Sequence, residues 1–132
     1  MKVLALDYGS ARTGVAVSDP TGTLARPLGV VERAGSEAGL ARVLELAHEE
    51  GVELIVVGLP VTLRGELGAQ AKETERFVER LRAAAGVPVE SFDERFTTAL
   101  ARAGGSSAPE DAAAAAHLLT SYLEWKTSAR PR

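Results

Sequence analysis

The sequence predicts an α/β domain with a mixed sheet, and three observations predict it. Two apolar runs, residues 3–6 and 15–17, flank a turn bracketed by Gly9 and Gly14 and read as a hairpin. From Ser36 onward helix and strand patterns alternate, so the strands joined through helices run parallel. The chain has 132 residues and no cysteine, which suits one domain with its own apolar core and excludes disulfides and thiolate metal sites.

The first strand, Val-Leu-Ala-Leu at residues 3–6, is continuously apolar, as in a strand buried on both faces. Asp7 stands where that run ends. A carboxylate there needs a cation, water or a capping role. It reads either as a turn aspartate serving its own loop or as an acid held at a strand tip. In the second case Gly9 would let backbone approach a ligand closely. Residues 23–31 contain Pro27 and read as an extended edge strand. Ser36 can cap a helix with apolar positions Leu40, Val43, Leu44 and Ala47, closed by Gly51. Residues 53–57 (Glu-Leu-Ile-Val-Val) form the strongest strand signal, closed by Gly58-Leu-Pro60. A second helix over residues 68–85 buries Ala71, Thr74, Phe77, Val78 and Leu81 and stops at Gly86, and residues 87–92 make a further strand. Pro109 opens the last helix, whose buried face is built from residues 112–116, Leu118, Leu119, Tyr122 and Leu123. The expected organisation is one domain over residues 1–126 and a disordered tail over 127–132.

The formal charge of −3 argues against a chain coated in basic charge. The basic residues are nearly all arginine, which suits bidentate phosphate contacts. No basic-then-apolar leader opens the sequence and no apolar run approaches membrane-spanning length, so the expected compartment is the cytoplasm, with no membrane partner.

Ligands of such sheets collect beyond the carboxyl ends of parallel strands. Asp7, the loop from Gly58 to Gly65 with Arg64, and the stretch Phe92-Asp-Glu-Arg-Phe-Thr-Thr98 all fall there. The Asp93-Glu94-Arg95 triplet reads as a site or as a solvated turn. Asp111 falls in the first turn of the last helix, where the macrodipole stabilises an acid, and spacing alone favours that reading. The alanines that follow permit the close packing that would bring it towards the other acids. Such a set of acids without cysteine suits a hard, oxygen-liganded cation, Mg²⁺ or Mn²⁺. Paired ions of this kind activate water and stabilise the leaving oxygen in phosphodiester cleavage. His48 and His117 fall on helices away from the strand ends and read as non-ligands.

Residues 6–19 (Leu-Asp-Tyr-Gly-Ser-Ala-Arg-Thr-Gly-Val-Ala-Val-Ser-Asp), Val57-Gly-Leu-Pro60, Asp93-Glu-Arg95 with Thr97-Thr98, and Asp111-Ala-Ala-Ala114 resemble the ordered motifs of the YqgF (RuvX) family. Its members are ribonuclease-H-like proteins similar to Holliday-junction resolvases and described as nucleases of the 16S rRNA precursor. The resemblance runs from about Lys2 to Leu123. It implies a five-stranded mixed sheet flanked by helices, with Asp7 on the central strand. It also implies a metal-dependent nuclease whose acids Asp7, Glu94 and Asp111 are catalytic. Asp7, the Asp93-Glu94 pair and Asp111 are then the metal ligands. Strand alternation sends Asp93 and Glu94 to opposite faces, and Glu94 is the one expected to reach the ion. Gly9, Arg12, Gly58, Arg64, Arg95 and Thr97 are the candidate nucleic-acid contacts. The partner is a nucleic acid, pre-rRNA or branched or single-stranded DNA, and the chain acts as a monomer or homodimer, with ribosomal particles as a possible setting. Two departures stand out. Residues 99–111 are short, with one arginine, where the family carries a longer basic connection, and Phe96-Thr97 replaces the more usual Leu-Ser. A non-catalytic RNA-binding assembly factor is the alternative that shortening keeps open. A phosphotransferase of the actin and sugar-kinase type would need two copies of the domain, and 132 residues hold one.

Overall fold

Burial on both faces decides which strand lies at the centre. The computed structural model describes residues 1–60, 68–94 and 110–129. Strand β1 (Val3–Asp7) has its first four residues shut off from solvent and hydrogen-bonds to a strand on either side. It runs antiparallel to β2 (Arg12–Ser18), which pairs antiparallel with β3 (Ala25–Glu32). After α1 (Glu37–Glu50), β4 (Leu54–Leu59) lies parallel to β1. After α2 (Ala69–Ala84), β5 (Val89–Asp93) lies parallel to β4. The five-stranded mixed sheet therefore has the order β3-β2-β1-β4-β5, with β3 at one edge, where its proline is tolerated. The last helix, α3 (Glu110–Ala129), returns across β1, β2 and β3.

The period of two along each strand divides the core in two. Leu4, Leu6, Val15, Val17, Ile55 and Val57 pack with Val43 of α1 and with Phe77, Val78 and Leu81 of α2. Val3, Ala5, Ala16, Leu54, Val56 and Phe92 face the other way, onto Ala115, Leu118, Leu119 and Tyr122 of α3. Each fully buried leucine contributes about 1.5–3 kcal/mol, so α3 is seated chiefly by Leu118, Leu119 and the ring of Tyr122. Its alanines let the helix come close.

Helix α1 is bounded as its sequence indicates. Ser36 accepts the amide of Gly39 at 3.0 Å, and Gly51 sits at φ 63°, where a side chain would be strained. Several element boundaries differ from expectation. Strand β5 starts at Val89 rather than 87, because Pro88 has no N–H to give the ladder and offers only its carbonyl, to Ile55 at 3.0 Å. Helix α2 ends at Ala84, with Ala85 already extended ahead of Gly86. Helix α3 runs to Ala129, three residues into the expected tail, and Thr127 returns its hydroxyl to the carbonyl of Leu123 at 2.9 Å. Among the described residues no helix is long and apolar enough to cross a membrane.

The turn between β2 and β3 is organised by Asp19. Its carboxylate accepts the Thr21 hydroxyl and the amides of Leu24 and Thr23, at 3.0 and 2.7 Å, which holds its pKa down at about 2. A depressed acid stabilises the fold above its unfolded pKa of about 4, and that contribution is lost as pH falls through about 2. Carbon-13 titration of the Asp19 carboxyl should give a midpoint near 2. A midpoint near the ordinary value would mean that the turn is open in solution.

Candidate active site

Asp7 is the last residue of β1, half-buried, and lies opposite Gly14 of β2. By strand alternation it points to the same side as Val3 and Ala5, the side that α3 covers. A Cβ on Gly14 would stand 1.7 Å from the carbonyl oxygen of Asp111 and 3.1 Å from the amide of Ala112. The first turn of α3 therefore rests directly on the backbone of Gly14, beside Asp7. Arg12, exposed at the start of β2, closes the corner with its Nε 3.2 Å from Asp111 Oδ2.

The second approach is at Gly58. A Cβ there would lie 2.7 Å from Glu94 Oε1, 3.1 Å from Glu94 Cγ and 2.9 Å from Leu118 Cδ2. Glu94 thus leans back over β4 on the side of α3, the side of Asp7. Asp93 follows Val89 in alternation, and Val89 packs in the core on the α1 and α2 side. The expected division of Asp93 and Glu94 between faces is therefore what the backbone produces. The bare surface of Gly58, an expected nucleic-acid contact, has Glu94 and Leu118 beside it. The missing side chain of Gly9 serves its own turn, since a Cβ would stand 2.4 Å from the Arg12 carbonyl. The Gly9 amide meets the buried Thr13 hydroxyl at 3.3 Å.

The tyrosine after Asp7 turns to the opposite face. Its ring stacks on Phe77 of α2 with centroids 4.5 Å apart, and its hydroxyl bonds Glu73, which also accepts Ser10 at 2.7 Å. Burial first, then the bond to Glu73, raise the Tyr8 pKa, while Ser10 and Tyr8 lower that of Glu73. The turn after Asp7 is thereby pinned to α2 at two points. Neither this anchor nor the seat at Gly14 was legible as part of a site from spacing; a glycine inside a strand is the only signal that pointed to the second.

All the acid donors are carboxylate oxygens, the chemistry that a hard divalent cation takes, and Gly14 and Gly58 leave them room on one face. Among the described residues no three acidic, histidine or cysteine side chains stand close enough to enclose an ion, and Asp111 is engaged by Arg12. That ion pair is exposed at both ends, 66% and 37%, and such pairs hold together by only about 0–1 kcal/mol. A bound cation could replace it at little cost. Arg64, Arg95 and Thr97 lie outside the described residues. His48 is exposed and His117 half-buried, both on helices as expected.

The fold is shared with RuvC of Thermus thermophilus solved with a Holliday-junction substrate, at a TM-score of 0.66 and 21% identity, over 98% of this chain and 97% of that one. Among curated relatives, one from Rubrobacter xylanophilus is 47% identical over 93% of this chain and 92% of its own length. Another, from Chloroflexus aurantiacus, is 39% identical over 96% and 88%. Both carry the provisional name pre-16S rRNA nuclease. The family model described as RuvX, Holliday junction resolvase, matches residues 1–125, and the chain belongs to that family of nucleases.

Proposed function

We propose that this chain is a divalent-metal-dependent nuclease that hydrolyses phosphodiester bonds in 5′-end processing of the 16S rRNA precursor in the cytoplasm, on free precursor or on ribosomal particles. The observation that supports the reading is that three sequence-distant acids lie towards one sheet face, with Glu94 over Gly58 and the backbone of Asp111 over Gly14, opposite Asp7. Asp7, Glu94 and Asp111 would hold Mg²⁺ or Mn²⁺, with Asp93 turned away. When bound, such ions activate water and stabilise the leaving oxygen. The remaining work falls to the chain's own groups. The turn pinned by Glu73 fixes the direction of Asp7. Arg12, released from Asp111, offers a guanidinium to a substrate phosphate, and Arg64, Arg95 and Thr97 are assigned the same task. The relatives' names support rRNA as substrate.

Cleavage of a pre-16S RNA fragment should therefore require Mg²⁺ or Mn²⁺ and stop in EDTA. Calcium, larger and looser in coordination, should support binding with poor turnover. Full cleavage in excess chelator would rule the mechanism out. The description of the family favours a second substrate, the four-way DNA junction. Cutting it symmetrically needs two sites related by a two-fold axis, so a junction-cutting enzyme should be a dimer at working concentration. Both substrates assayed side by side with sedimentation of the same sample separate the two readings.

A further inference from the structure

Lys72, Arg76 and Arg80 stand four residues apart on α2, and all three are exposed. Residues at this spacing share one face, with about 6 Å of rise between neighbours. That is on the scale of the spacing between successive phosphates of a nucleic-acid strand. The row lies on the Tyr8 flank of the helix. Arg80 and Arg76 both act electrostatically on the Tyr8 hydroxyl, and Arg80 donates to the carbonyl of Gly35 across the gap to the chain ahead of α1. Tyr8 follows Asp7 directly but faces the other way, so the row starts at the same end of the sheet as the acid site, on the opposite face, and runs along α2. The acids of the same helix are interleaved with the row: Glu75 is exposed beside Arg76, and the charge of Arg76 reaches Glu73. Glu73 takes Ser10 and Tyr8, and Glu79 takes Arg82 at 2.7 Å on the other flank, where Arg82 also donates to Val89. Among the described residues neither Lys72 nor Arg76 has a carboxylate within 4.0 Å, whereas Arg42 on α1 is held by Glu45. In a chain of net charge −3, three aligned cations at the acid-site end of the sheet complement one class of partner.

We propose that the Lys72-Arg76-Arg80 row is a backbone track that binds the phosphates of the substrate strand leaving the acid site; it rests on the nuclease reading above and adds the path of the strand. The contacts are to phosphate, so they fix position and register without reading sequence. The test is binding of a fluorescent single-stranded RNA, long enough to span three helical turns, across a salt series in calcium. Lys72→Ala with Arg76→Ala should bind it about tenfold more weakly at low salt. The slope of log affinity against log salt should flatten by about 1.4, or 0.7 for each lost contact. Arg80 is left in place because it also holds Gly35. Arg42→Gln, which removes a paired cation on α1, should keep the parent slope. A double variant with the parent slope, or an Arg42→Gln slope flattened as much, would overturn the track while leaving the nuclease reading intact. A parent that cuts no RNA and binds none would overturn both.

Discussion

Asp7→Asn is expected to lower cleavage by orders of magnitude while leaving the metal-free protein at least as stable as the parent. The carboxylate stands at the tip of the central strand, opposite the glycine on which Asp111 rests and on the face over which Glu94 leans. These are like charges, and Asp111 is paired with Arg12. Asparagine keeps the shape and removes one of them. Losing a donor that would place both nucleophile and leaving group acts on the chemical step, whereas the fold loses little. Saturating Mn²⁺ should raise the melting temperature of the parent, because a ligand of the folded state alone stabilises it by mass action, about 2.7 kcal/mol at a hundredfold excess over Kd. The variant should lose most of that gain. An aspartate that merely served its own turn would show the opposite pairing, full activity and at most a modest change in stability. Melts with and without Mn²⁺ beside one cleavage assay decide the matter, and near-parent turnover would remove Asp7 from the site.

Gly14→Ala should be strongly damaging for so conservative a change. The added methyl would meet Asp111 oxygen at 1.7 Å and its carbonyl carbon at 2.4 Å, and both are backbone atoms that cannot swing aside. The first turn of α3 must lift, against the seating of Ala112, Ala115, Leu118, Leu119 and Tyr122, all buried. Overpacking costs about 1–3 kcal/mol and occasionally more. The upper end applies here, which lowers the melting temperature by roughly 10 °C. Asp111 moves with the turn, so residual folded protein should also cut poorly. Gly29→Ala, where a Cβ meets nothing within 4 Å, is the control and should change little. Equal urea midpoints for the two variants would show that α3 does not rest on Gly14 in solution.

Much of this architecture could be read from residue order. The apolar run before Asp7 and the β-branched run before Gly58 mark the two central parallel strands, since only strands covered on both faces carry no polar alternation. Ser36 and Gly51 mark the ends of α1 because capping is local chemistry. Where local signals conflict, the ends shift: Val87 looks like strand, but Pro88 beside it cannot donate. The candidate site was legible as a set of acids at strand ends, and alternation alone separated Asp93 from Glu94. What residue order does not contain is register. That Asp7 pairs with Gly14, and Leu59 with Asp93, follows from how whole strands slide past one another. The approach of Asp111 to Gly14, the pair it forms with Arg12, and the hold of Glu73 on Ser10 all depend on that. Each joins residues far apart in the chain, or turns on one side chain's direction.

The seat of α3 on β1, β2 and β3 also has a consequence during synthesis. The central hairpin is made well before the element that covers one of its apolar faces, Val3, Ala5 and Ala16, which is residues 110–129. Until those residues emerge, that face is bare and open to wrong partners. The acids stay apart for the same reason, because Asp111 is delivered by the last helix. A nascent chain of this protein therefore cannot assemble its acid site before residues 110–129 have been made, and any cutting by it begins only after that.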